Sequence, residues 1–226
     1  MKTFDLSRQT VRELNQALHD VPADQPAEFL VTEPRGAHAL ACGIRAPVKV
    51  TIRGHAGYYC AGMNQLGEVV VEGNAGVGVA ENMMSGTVRV TGSASQSAGA
   101  TAHGGLLVIE GNASARCGIS LKGADIVVKG SVGHLSAFMA QAGRLVVCGD
   151  AGDALGDSIY EAQLYVRGAV ASLGTDCVEK SVGPEHLAEL AELLARARSD
   201  LKPTEFRRYG SARQLYHFKT DNAASY

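Results

Sequence analysis

The stretch "GNAGVGVAENMMSG", Gly73 to Gly86, follows an apolar run and is crowded with glycine. Read alone, it resembles a loop that cradles a phosphate. A nucleotide site would occur once, whereas an architectural unit would recur. Stepping by nineteen residues from Gly73 gives Gly54, Gly73, Gly92, Gly111, Gly130, Gly149 and Gly168. Four residues before these glycines stand Val50, Val69, Val88, Leu107, Ile126, Leu145 and Leu164. Two before stand Ile52, Val71, Val90, Ile109, Val128, Val147 and Val166. Two after come Ala56, Ala75, Ala94, Ala113, Val132, Ala151 and Val170, all small and apolar. The quoted stretch is one rung of an internal repeat.

Each unit reads as an alternating strand, a turn, and a small-residue segment closing on Gly67, Gly86, Gly105, Ala124, Gly143 or Ala162. Period-two alternation places both aliphatic columns on one face, which a single rung cannot bury. The rungs must therefore stack in parallel, and the expected fold is all-β: a right-handed parallel β-helix of about seven rungs. Lattice glycines serve corners, through positive φ or close approach to the next rung. His55, Asn74, Ser93, Asn112, Ser131 and Asp150, just after the lattice glycines, are mostly turn formers.

Helices are expected at both flanks. Residues 7–19 carry Thr10 and Glu13 in capping-box spacing, with Val11, Leu14 and Leu18 on one face. Residues 184–199 begin with Pro184 and carry the stripe Leu187, Leu190, Leu193 and Leu194. The segments are thus 1–34 (N-terminal helical), 35–176 (β-helix), and 177–226 (helix plus an aromatic docking tail with Phe206, Tyr209, Tyr216, Phe218 and Tyr226). Three residues before the later glycines, on the outward side, Val108, Val127, Val146 and Tyr165 form an apolar stripe. Such a stripe implies a cover. The leucine helix and a partner subunit are the two candidates, and the stripe and tail together form the candidate interface. On this register Val90→Asp should cost several kcal/mol, and Arg89→Asp, one residue away on the outer face, about 0.5 or less.

With 226 residues, 46% hydrophobic and no tryptophan, the chain fills its core with small side chains. A formal charge of -2 offers no basic field for nucleic acid, and no apolar run is long enough to span a bilayer. The start, MKTFDLSRQTVREL, becomes charged before an apolar signal region forms, so a cytoplasmic location is expected. Cys42, Cys60, Cys117, Cys148 and Cys177 are odd in number and lack a close pair, which favours reduced thiols. Cys60 and Cys117 share a column but lie roughly 14 Å apart, too far to share one metal.

Four constellations invite chemistry. Gly73 to Gly86 lacks the lysine and hydroxyl of a phosphate loop. His134 and Asp153 share a column on adjacent rungs with Ser172 beyond, but Asp153 sits between them, the wrong order for a triad. Asp150, Asp153, Asp157 and Glu161 form an acidic cluster, the kind a sugar-processing β-helix would use, yet have no basic partner or aromatic platform beside them. His103, Arg116 and Lys122 are polar interruptions that suit solvated turns or a partner surface. Catalytic, cofactor-binding and metal-binding residues are expected to be absent, leaving a scaffold.

The stretches "GHAGYYCAGMNQLG" (54–67) and "GNAGVGVAENMMSG" (73–86) resemble successive rungs of the C-terminal GXGXG domain of glutamate synthase, a resemblance covering roughly Arg35 to Gly168. Ala80 and Asn82 stand where that domain usually has glycine, which points to a stand-alone paralogue. "PTEFRRYGSARQLYHF" (Pro203 to Phe218) and "TVRELNQALHD" (Thr10 to Asp20) are similar to the small subunit of N-methylglutamate synthase. The resemblance implies a non-catalytic subunit in a hetero-oligomer with an amidotransferase-like subunit and a flavin-dependent synthase subunit. FMN, and with it an iron–sulfur cluster, would sit in a partner. The reaction implied joins glutamate and methylamine with release of ammonia. Two other classes share the repeat architecture: the third subunit of formylmethanofuran dehydrogenase, and an independent β-helix carbohydrate-active enzyme.

Overall fold

In the computed structural model, which describes residues 1–213, one eleven-stranded sheet runs the length of a β-solenoid. The strands are β1 (Lys2–Asp5), β2 (Ala27–Thr32), β3 (Val48–Arg53), β4 (Glu68–Glu72), β5 (Thr87–Val90), β6 (Leu106–Ile109), β7 (Lys122–Val128), β8 (Ala142–Val147), β9 (Gln163–Val166), β10 (Cys177–Lys180) and β11 (Arg207–Ser211). Two α-helices, α1 (Val11–His19) and α2 (Pro184–Arg196), flank it. β1 to β9 pair in parallel in chain order. β11 then inserts antiparallel between β9 and β10, so the sheet runs through all three segments read from the sequence.

From β3 to β9 the register is the nineteen-residue lattice. Val50 pairs with Val69, Val69 with Val88, and so on to Leu164, with every member of both aliphatic columns at most 1% exposed. Isolated parallel bridges link Ala56, Ala75, Ala94, Ala113, Val132, Ala151 and Val170, defining a second stacked column through seven rungs. α1 closes the N-terminal end of the core with Leu14 and Leu18. Its Thr10–Glu13 capping box is formed, while Asn15 and His19 reach the carbonyls of Ala39 and Cys42 at 2.7 Å.

Of the two reasons offered for the lattice glycines, close approach is the one that recurs. A Cβ on Gly73 would lie 2.8 Å from the backbone of Gly54, and one on Gly130 would lie 2.7 Å from the Gly111 carbonyl oxygen. Gly130 also donates its amide to that carbonyl at 2.9 Å, and the Asn112 side chain beside it holds the Ser131 amide. Neither neighbour can retreat without losing a hydrogen bond. Gly130→Ala should therefore lower stability by about 3 kcal/mol in a denaturant melt. A loss under about 1 kcal/mol would mean that the rungs part easily.

Positive φ appears elsewhere, five, seven and nine residues after the lattice glycines. In the six rungs starting at Gly54 to Gly149, all of these positions are left-handed, including Tyr59, Ala80, Asn82, Arg116, Leu135 and Met139. Glycine occupies only four of them, Gly78, Gly99, Gly118 and Gly156. The others carry strain of about 1 kcal/mol each. Inter-rung bonds offset it: Gly78 donates forward to Gln96, Ala80 back to Cys60, Asn82 forward to Ala100 and Met84 back to Asn64, at 2.7–3.0 Å. Thus Ala80 and Asn82 keep a glycine-like conformation.

Candidate interface and polar ladders

The outward stripe is covered from within the chain. Val108, Val127, Val146 and Tyr165 are fully buried in a cluster with Leu190, Leu193, Leu194, Ala197 and Phe206, so α2 lies along the outer face of β6 to β9. The Tyr165 hydroxyl donates to Gln163 at 2.9 Å. Tyr209 is also buried, but in the solenoid core, on the strand that closes its C-terminal end. The candidate interface residues Val108, Val127, Val146, Tyr165, Phe206 and Tyr209 therefore face other parts of this chain and not solvent. Tyr216 and Phe218 lie outside the described residues, as does Tyr226.

Charged residues that sequence reading missed hold α2 down. Asp125 binds Arg144 through two bonds of 2.8 and 3.0 Å and Arg196 of α2 at 3.2 Å. Arg144 also faces Glu189 at 3.7 Å. Glu110 pairs with Arg89 and, at 2.7 Å, with Lys129. Arg89 and Lys129 donate onward to the carbonyls of Ala197 and Arg198 at 3.3 and 2.9 Å, placing cations at the negative end of the helix. A signal was present: Glu110–Lys129 and Asp125–Arg144 are opposite charges one lattice step apart, as are the exposed pairs Lys49–Glu68 and Arg53–Glu72. Where α2 ends, a cleft of about 500 Å³ opens, lined by Val70, Thr87, Arg89, Arg196 and Arg198 among others.

Of the polar candidates for chemistry, Asp150, Asp153, Asp157 and Ser172 are engaged in rung stacking, while Glu161 is exposed. Asp153 accepts from Ser172 at 3.0 Å, and the same hydroxyl accepts from the Ala154 amide at 2.9 Å. His134 is exposed, and its backbone carbonyl accepts from Arg116. Asp150 holds the Ala169 amide, and Asp157 holds the Thr175 amide and the Ser158 hydroxyl. Asp150 ends a ladder in which His55, Asn74, Ser93, Asn112 and Ser131 each accept, through the side chain, the backbone amide one lattice step ahead at 2.8–3.1 Å. The turn-forming column therefore supplies one inter-rung bond per step. His103, Arg116 and Lys122 are exposed. Among the described residues no group of three or more His, Cys, Asp or Glu is placed to hold a metal, and no helix is long and apolar enough to cross a membrane.

No family model matches the chain. A curated relative, Protein GlxC of Rhizobium meliloti (strain 1021), is 60% identical over 228 residues, covering all of both chains. The chain belongs to the GlxC family. An end-to-end match places the solenoid, both helices and β11 within the shared length.

In this member of the GlxC family one further polar residue escaped sequence reading. Asn64 is fully buried in a column otherwise filled by Met83, Ala102, Leu121, Ala140 and Ile159. It is satisfied there, holding Gly67 through both its amide and its carbonyl and donating to Ser85 as well. A lone asparagine in an apolar column was its signal. The five cysteines are free. Burial pushes the thiols of Cys42, Cys148 and Cys177 up to about 11 and that of Cys117 to about 12, with Cys60 higher still. Little thiolate would exist at neutral pH, which suits packing more than nucleophilic chemistry.

Proposed function

We propose that the chain is a non-catalytic structural subunit of a heteromeric glutamate synthase-like enzyme, of the N-methylglutamate synthase type, working in the cytoplasm. The observation that carries this reading is the use of Asp150, Asp153, Asp157 and Ser172: each holds a neighbouring rung. Side chains spent on rung contacts stiffen the molecule. The eleven strands span about 48 Å, a rigid length along which two catalytic subunits could be held in register. Support also comes from the likeness of the rungs and both flanks to glutamate synthase and N-methylglutamate synthase sequences. In this reading FMN and an iron–sulfur cluster belong to a partner, and glutamine-derived ammonia chemistry to another.

The test is copurification of the tagged chain from its own host. An amidotransferase-like subunit and a flavin-containing subunit should accompany it, while the chain made alone should show no flavin absorbance and no turnover. Stoichiometric flavin on the isolated chain would overturn the non-catalytic assignment. Recovery of molybdopterin subunits instead would move the chain to the formylmethanofuran dehydrogenase class.

A further inference from the structure

The left-handed segments of successive rungs form an outer face on which several side chains match in pairs about one rung. At the centre are Ser97, Ala100 and Thr101, all small. One rung before lies Glu81, and one rung after lies Arg116, partly or fully exposed. Two rungs before lie Tyr59 and Met63, and two rungs after lie Phe138 and Met139; the methionines are 46% and 40% exposed.

Side-chain directions extend the match. The Glu81 carboxylate folds back over Gly78, where a Cβ would lie 2.6 Å from its oxygen, so the charge sits in the column from which Arg116 springs. The Tyr59 ring lies over Gly62, in the column that Phe138 occupies four rungs later, and its hydroxyl accepts a bond from Asn82 at 3.3 Å. A two-fold axis lying in the face and crossing the central rung reverses rung order but keeps the column. It would set Glu81 against Arg116, Tyr59 against Phe138 and Met63 against Met139 of a second copy, each contact occurring twice.

We infer that this face packs against the same face of a second copy of the chain in an antiparallel two-fold dimer. Within one chain Glu81 and Arg116 are two rungs apart, about 10 Å. Neither is in an ion pair among the described residues. Burial also pushes the Glu81 carboxyl up from its ordinary value, as expected of a partly desolvated acid awaiting a cation. The small central residues let the two backbones approach closely. A dimer held by these few contact pairs should form in about the micromolar range.

Sedimentation of the purified full-length chain at up to about 100 µM tests this. A concentration-dependent dimer is expected. Glu81→Arg or Arg116→Glu alone should weaken it about 100-fold, since each places two like-charge pairs across the axis. The double exchange, E81R with R116E, should restore it because both pairs re-form with reversed sign. Circular dichroism melts should match wild type for all three variants. A wild-type chain monomeric throughout, or a double exchange no better than the singles, overturns the inference and leaves the face to another partner or to solvent.

Discussion

Replacing Val127 and Val146 together by lysine is expected to lower the stability of the isolated chain by about 5 kcal/mol or more, and to abolish folding if the total is at the low end of the usual range. Both valines are fully buried between the sheet and α2, with Leu190, Leu193 and Leu194 in the same cluster. Lysine there would have to lose its charge or push the helix away. The acids that hold α2 down are committed: Asp125 to Arg144 and Arg196, and Glu110 to Arg89 and Lys129. Val70→Lys is the control, because Val70 shares the outward column but is half-buried beside the open cleft, and should cost about 1 kcal/mol or less. A double variant that melts like wild type would mean that α2 does not rest on this stripe in solution.

Val90→Asp should cost about 4 kcal/mol, because Val90 is fully buried between Val71 and Ile109 in the solenoid and a carboxylate there has no partner. Its neighbour Arg89 needs a correction. Sequence periodicity placed it on the outer face, where Arg89→Asp would cost about 0.5 kcal/mol or less. At that rung the C-terminal end of α2 reaches the outer face. The Arg89 side chain is only 12% exposed, is paired with Glu110, and donates to the carbonyls of Ala197 and Arg196. Aspartate would confront Glu110 and the negative end of the helix, so about 2 kcal/mol is expected. Thr91→Asn, at an exposed position two residues on, should remain within about 0.5 kcal/mol. Denaturant melts of the three variants should rank Val90 above Arg89 above Thr91. Equal losses at Val90 and Thr91 would place the strand register one residue off.

The rung-by-rung part of this architecture was legible because stacking is periodic. A nineteen-residue step forces equivalent residues into contact, so the columns ending in Leu164 and Val166, the lattice glycines, and opposite charges such as Asp125 and Arg144 can be read by counting. The capping box of α1 was equally local, being a matter of Thr10 and Glu13 three residues apart. The apolar stripe from Val108 to Tyr165 was legible as covered, with the leucine helix, local and of similar stripe length, named as one of two covers. Periodicity describes which residues share a face and says nothing of how a distant helix returns to that face.

Three features needed the tertiary structure. The choice of α2 as the cover depends on contacts between residues as far apart as Arg89 and Ala197, which no local pattern encodes. The left-handed conformations of Tyr59, Arg116 and Leu135 run against the preferences of those side chains. They persist because amides in each rung must find carbonyls above and below. That Asp150, Asp153 and Asp157 hold the neighbouring rung became visible only once that rung stood beside them. Sequence by itself determined the period, the buried columns and the glycine corners, since these follow from residue size and polarity repeated at a constant step. Which helix roofs which strand, and which polar group is left over, depended on the folded chain, because both are settled by partners that are remote in sequence and adjacent only in space.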